Sequence, residues 1–193
     1  MEVPMRTVRR PTFPWRLLGW GGLAALLLLP WAAGAPWTPA DYGFAAAMFA
    51  ALGGMIELAV RTSGNPAYRA GAIVAIGTAF LLLWSNAAVG LLGDGDNPAN
   101  AMFLIVLAIA ILGGLFVRFG SAGMVRVMQG TALAQLLAGT LGWTLGWAAP
   151  GGQGVYEVTL GVALFGTLWL VAAGCFARAA RHSAQSRTAS PSI

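Results

Sequence analysis

Three polar side chains, Glu57, Asn86 and Gln135, fall within stretches of this chain that are apolar enough to cross a bilayer. A carboxylic acid or an amide at membrane depth is costly, and such groups commonly line ion or proton paths or bond between helices. Each shares a helical face with small residues, so we expect all three to point into a helix bundle. The small residues are Ala46, Ala50 and Gly53 for Glu57, Ala75, Ala79 and Gly90 for Asn86, and Thr131, Gly139, Gly142 and Gly146 for Gln135.

The depths of these three groups limit the chemistry that they could share. At about 1.5 Å of rise per residue, Glu57 lies about 6 Å, Gln135 about 14 Å and Asn86 about 26 Å from an arginine at the end of its own helix. Groups so spread cannot form one compact active site. We expect separate packing contacts, with a polar path along all three as the alternative. Arg61 follows Glu57 by four residues, the favourable order for an ion pair along one helix.

The segment 93–98, Gly-Asp-Gly-Asp-Asn-Pro, is rich in oxygen atoms. A hard cation could be bound by the side-chain oxygens of Asp94, Asp96 and Asn97, with Asn100 just beyond. The spacing lacks the later ligands and the terminal Glu of an EF-hand, and a Gly/Asp turn leading to a capped helix explains the same residues. We expect the turn and cap, and we therefore predict no metal site and no cofactor.

The residue types that most often carry catalysis are scarce in this sequence. Cys175 is the single cysteine and lies in an apolar run, which excludes an internal disulfide and a cysteine-based metal site. His182 is the single histidine and lies in the polar tail, which excludes bis-histidine haem ligation inside the membrane. No Ser/His, His/Glu or Cys/His set lies at reachable depths, so we do not expect an enzyme.

The composition is that of an integral membrane protein. Of 193 residues, 58% are hydrophobic and 9% charged, against about 25% charged in a typical soluble domain. All eleven basic residues are arginines, and they stand in short clusters between apolar runs. This distribution favours positive-inside topology over nucleic-acid binding, in spite of the net charge of +5.

A spanning helix needs about 20 mostly apolar residues. Six such runs predict an all-α polytopic bundle that places all eleven arginines on one side and Asp41, Asp94, Asp96 and Glu157 on the other. Both termini are then cytoplasmic: residues 1–14 form a cytoplasmic arm, residues 15–177 the transmembrane domain and residues 178–193 a disordered polar tail. The predicted spans are 15–35, 39–60, 68–92, 98–118, 123–148 and 155–177.

Three of the predicted spans begin with the same short motif, in which Thr38, Asn65 or Asn97 precedes Pro-Ala. The Thr or Asn side chain accepts from free N–H groups at the helix start, and proline suits the first helical position. Two of these triplets are Asn-Pro-Ala, which aquaporins carry on re-entrant half-helices at the bilayer centre. Only three residues separate Arg61 from Asn65, too few for such an element, so we interpret the triplets as caps.

Two further features leave alternatives. Residues 39–69 and 98–126 have similar lengths and similar short motifs. This similarity indicates either a parallel duplication of a two-helix unit or the limited set of residue types that all membrane helices use. Residues 9–35 imitate a signal peptide, but cleavage after Ala35 would leave Pro36 at the new terminus. We therefore expect the first span to be retained.

Several segments of the chain carry a resemblance, and they are Trp84-Ser85-Asn86-Ala87-Ala88-Val89-Gly90, Asp96-Asn97-Pro98-Ala99-Asn100, Glu57-Leu58-Ala59-Val60-Arg61, Ala67-Tyr68-Arg69-Ala70-Gly71 and Ala132-Leu133-Ala134-Gln135. Together they resemble a family of small uncharacterised bacterial inner-membrane proteins. In that family the acidic loop usually reads acid-Asp-Asn-Pro, whereas here Gly95 replaces the first acid and Asp94 precedes it. The resemblance covers roughly residues 40–140 and implies residence in a bacterial inner membrane, without an activity.

Together these observations predict an accessory or structural membrane protein that packs against lipid and against a membrane-protein partner or a second copy of itself. The alternative is a small-solute or ion transporter, either monomeric or oligomeric in the membrane, that uses the polar groups at the depths of Glu57, Asn86 and Gln135. One ionisable residue near a membrane edge is too few to form the proton or ion path that coupled transport needs. We therefore favour the first interpretation.

Overall fold

The computed structural model describes residues 15–93, 95–148 and 152–188, and all regular structure within these ranges is helical. Five of its six α-helices are long and apolar enough to cross a membrane, with Ala101–Phe116 counted together with the 3₁₀ turn before it, and Ser121–Thr144 is the exception. The all-α prediction is therefore confirmed, and the helix lengths and composition suit a membrane protein. The helices are α1 (Trp15–Ala32), α2 (Pro39–Thr62), α3 (Pro66–Ala88), α4 (Ala101–Phe116), α5 (Ser121–Thr144) and α6 (Gly152–Thr188), with a 3₁₀ turn at Pro98–Asn100.

The predicted caps are present at the helix starts. Asn65 Oδ1 accepts hydrogen bonds from the N–H groups of the second and third residues of α3, at 2.9 and 3.3 Å. Asn97 Oδ1 accepts from the second residue of the 3₁₀ turn at 3.0 Å. At α2, Thr38 Oγ1 accepts from the Asp41 N–H while the Asp41 carboxylate accepts from the Thr38 N–H. This reciprocal pair is a capping box, which satisfies two of the donors that a helix start leaves free.

Two helices end earlier than their apolar runs, and one ends later. Gly90 and Gly146 adopt left-handed φ values of 74° and 69° just after α3 and α5, a conformation that terminates helices. The predicted spans ran across both glycines because the flanking residues are apolar. Conversely, α6 continues as a helix from the predicted end at residue 177 to Thr188. This segment, where we expected a disordered tail, contains three Ala and three Arg residues, and both types are strong helix formers.

The chain packs as two units that divide within α2, after Gly53. In the first unit, α1 approaches α2 closely at Gly53, where a Cβ atom would lie 2.8 Å from the Trp20 ring. Within this unit no residue of α1 is buried, and Ala45 and Met48 are the buried residues of α2. Most of the surface of both helices is thus left for lipid or for other helices.

The second unit holds the core, in which α5 packs against α4 and α6, and α6 also packs against α3. Two glycines permit close approach: Cβ atoms at Gly71 and Gly139 would lie 3.1 Å from Cys175 Cβ and 2.0 Å from Val162 Cγ2. Farther along, Leu91 just after α3 lies near Gly161, and Leu136 of α5 lies near Gly166. Residue numbers thus rise along α3 and α5 as they fall along α6, so α6 is antiparallel to both. The largest fully buried side chains are Trp169, Phe103, Phe176, Leu82, Leu92 and Met128.

Candidate functional site

Glu57 lies half-buried near the end of α2 and forms an ion pair with Arg61, one turn later on the same helix. This is the pair that the four-residue spacing predicts. The Arg61 side chain is mostly exposed. The carboxylate therefore has a partner within its own helix.

Gln135 lies at the middle of α5 and is 0% exposed. Thr131, Gly139 and Gly142 of the predicted stripe are buried with it, which confirms that this face of α5 is a helix contact. Gly146 was wrongly assigned to the stripe, because it follows the end of α5 and has open space around it. Neither amide atom of Gln135 has a hydrogen-bond partner within the described part of the chain, so the bond across helices that we expected is not present there.

Asn86 is half-buried near the end of α3, and its Oδ1 atom is buried without a hydrogen-bond partner among the described residues. The same holds for the indole nitrogen of Trp169, a 0% exposed residue of α6 that the sequence analysis did not single out. The contact between Gly139 and Val162 sets a register that places Gln135 within about one turn of Trp169 along the bundle. Nothing in the sequence distinguishes this indole from the other seven tryptophans.

The three predicted residues are not brought together. Glu57 lies near the end of α2, Gln135 halfway along α5 and Asn86 near the opposite end of α3, as the depth estimate predicts. A common active site built from all three is therefore excluded by their positions along the bundle.

The two asparagines of the loop before α4 are occupied by backbone groups. Asn100 is 5% exposed, and its Oδ1 atom accepts from the N–H groups of Leu91 and Leu92 at 2.9 and 2.8 Å. Asn97 caps the 3₁₀ turn through its oxygen, and its Nδ2 donates to the Trp147 carbonyl at 2.9 Å. Both side chains therefore shape the loop through hydrogen bonds to the backbone.

Of the two carboxylates in this loop, the structure describes only Asp96. Asp96 is exposed, and Asp94 lies outside the described residues. Within the ranges that the structure covers, no cluster of three or more His, Cys, Asp or Glu residues could hold a metal ion.

A half-open cavity of about 530 Å³ lies in the second unit at the end that carries Arg61, Arg69, Arg118, Arg126 and Arg178, which we call the arginine end. None of the polar candidates from the sequence, in the helices or in the acidic loop, is among its lining residues. Its walls come from segments distant in the chain, which is why no local pattern indicated it. The lining consists of residues between 55 and 63, residues of α3 between 68 and 76, Arg118, Phe119, Met124 and Phe176.

The turn between α4 and α5 holds Arg118 and Phe119 in left-handed conformation, with φ values of 52° and 53°. Their N–H groups donate to the carbonyls of Leu115 and Gly114, both at 2.9 Å, a Schellman motif. The end of α5 makes the same pair of bonds with Gly146 in the equivalent place. Because a side chain in this conformation costs about 1–2 kcal/mol, the fold alone would favour glycine at Arg118.

No protein-family model, no curated protein and no solved structure matches this chain. The resemblance to bacterial inner-membrane proteins and the bacterial origin that it implies therefore stay predictions.

Proposed function

We propose that this protein is an accessory or structural membrane protein that acts through contacts with another membrane helix. The proposal rests on the position of Gln135, which is fully buried in the packed core and does not line the cavity. Glu57, the ionisable residue among the polar candidates, is paired within its own helix. A buried amide and a paired carboxylate favour a role in helix packing over a role in binding a solute along a transport path.

The proposal includes six spans, with both termini in the cytoplasm of a bacterial cell and the bundle in its inner membrane. Although α5 lacks an 18-residue stretch as apolar as those of the other helices, it is 24 residues long and contributes eight buried residues to the core. A helix packed between neighbours needs fewer lipid-facing hydrophobic residues. With α5 counted as a span, all eleven arginines fall on one side, as the positive-inside rule requires.

The surface that best fits a partner helix lies on the first half of α2. Ala40, Gly43, Ala47 and Ala50 recur at helical spacing, all are exposed, and Gly43 has open space beside it. Small residues on an exposed face suit close helix–helix approach, whereas lipid-facing surfaces are usually built from larger side chains. We name this surface the α2 small face.

Site-specific photo-crosslinking in native membranes tests this proposal. A photoreactive amino acid at Ala47 should give a discrete adduct, whose mass distinguishes a second copy of the chain from another protein. The matched control is Ile111 on α4, which is 57% exposed among large aliphatic neighbours. Equal yields at both positions, or lipid adducts alone at Ala47, would contradict a partner on the α2 small face.

A further inference from the structure

The walls of the cavity at the arginine end are mainly apolar, and one side of it is open. Leu58 and Met55 line it from α2 and are 61% and 46% exposed, so in a bilayer they would meet lipid. Ala72, Ala75 and Phe176 are buried and form part of its opposite wall. Its volume of about 530 Å³ falls in the range of small-molecule sites, roughly 300–1,000 Å³.

Arg118 is the one charged residue among those that line this cavity. It stands at the turn position where the matching turn after α5 has glycine, and its left-handed backbone is strained. Strained backbone at a ligand-facing position is a frequent mark of function. The side chain is exposed, so its charge is available at the cavity.

We propose that this cavity binds an anionic phospholipid, with one acyl chain against the apolar walls and the phosphate at Arg118. The charge of the guanidinium complements a phosphodiester, and Arg suits phosphate through paired N–H donors. Basic pockets between membrane helices commonly take such head groups. This lipid site is independent of the partner proposed for the α2 small face, and the two can fail separately.

The test uses the full chain in phosphatidylcholine nanodiscs that contain a small fraction of phosphatidylglycerol with a photoreactive group in its acyl chain. Peptide mapping then compares adducts at the cavity residues Ala72, Ala75 and Ile76 with adducts at Ile111, which reports lipid around the bundle. We expect cavity adducts to dominate with phosphatidylglycerol and to be weaker with an equally labelled phosphatidylcholine.

Arg118→Gly is the decisive variant, because glycine suits the left-handed turn and the fold is retained. We expect cavity adducts to fall about fivefold relative to those at Ile111, since one basic residue facing an anionic lipid contributes roughly 1 kcal/mol. Arg118→Lys should restore most of the yield through its charge. The control is Arg126→Gln, an exposed arginine of the same end that does not line the cavity.

Ala59→Phe places a ring in the cavity and should lower adducts from both lipids, and Leu58→Trp provides a second filling variant at an exposed position. Soluble glycerol phosphate should not compete, because it lacks the acyl chain. Unchanged cavity adducts in Arg118→Gly, an equal loss in Arg126→Gln or full competition by glycerol phosphate would each overturn the proposal.

Discussion

The Tyr68 hydroxyl donates a hydrogen bond of 2.9 Å to the carbonyl oxygen of Phe119, 51 residues away along the chain. The same Tyr68 ring packs edge-on against Phe176, with ring centroids 5.2 Å apart. One side chain thus joins the start of α3, the turn between α4 and α5, and α6. This contact holds the strained turn that carries Arg118 at the cavity.

Replacing Gln135 by leucine should leave stability unchanged or raise it, by up to about 1–3 kcal/mol. The amide is fully buried, and the described structure gives neither of its atoms a partner, so an apolar side chain of similar size removes a desolvation cost. Thermal unfolding of the purified protein in detergent measures the change. Gln129→Leu, at an exposed position of the same helix, is the control and should have little effect. A marked loss of stability in Gln135→Leu would show that the amide is bonded.

Replacing either of two glycines of α5 by alanine should change the stability of the protein, but in opposite directions. A Cβ atom at Gly139 would lie 2.0 Å from Val162 Cγ2, and valine is stiff at χ1, so Gly139→Ala should cost about 1–3 kcal/mol. Gly130 has nothing within 4 Å, so Gly130→Ala should stabilise by about 0.5–1 kcal/mol through helix propensity. Detergent melting of both variants checks the packing of α5 on α6. Equal effects would contradict it.

The loop before α4 should depend on its asparagines more than on its carboxylates. Asn97→Ala removes a cap and the bond to the Trp147 carbonyl, and should cost about 0.5–2 kcal/mol. Asn100→Ala leaves two N–H groups without their acceptor, one of them on the buried Leu92, and should cost at least as much. Changing Asp94 and Asp96 together to Asn should leave the melting temperature nearly unchanged. A melting shift on adding Ca²⁺ or Mg²⁺ that this double variant abolishes would instead indicate a cation site.

Membrane topology can be measured with reporter fusions. With six spans and both termini in the cytoplasm, fusions after Gly64, Gly120 and Ile193 should report cytoplasm, and those after Gly95 and Gly152 should report periplasm. The fusion after Gly152 is the sharpest, because it depends on α5 crossing the bilayer. A cytoplasmic signal there, or a periplasmic one after Gly64 or Gly120, would contradict six spans.

The sequence predicted the helices to within a few residues wherever a polar signal flanks an apolar run. Pro39 and Asn65 are examples, since a cap followed by proline leaves little choice of helix start. It missed the ends at Gly90 and Gly146, because glycine inside an apolar run is ambiguous between helix interior and stop.

The site was harder to predict than the helices. Helical spacing correctly placed Gln135 on a buried face, but whether its amide finds a partner depends on α6, which no local pattern describes. The cavity depends on Tyr68, Arg118 and Phe176 meeting across three segments, and their sequence separations carry no signal.

The central claim is that the bundle is closed at Gln135, so that the protein acts through contacts and not through a path. Cysteine accessibility tests it most directly: Cys175 is replaced by serine, and single cysteines are introduced at Gln135 and at Ser63, which lines the cavity. In intact and inverted vesicles, a membrane-impermeant maleimide should label Ser63→Cys from one side and leave Gln135→Cys unlabelled from both. Labelling of Gln135→Cys from either side would reveal a water-filled path and contradict the account.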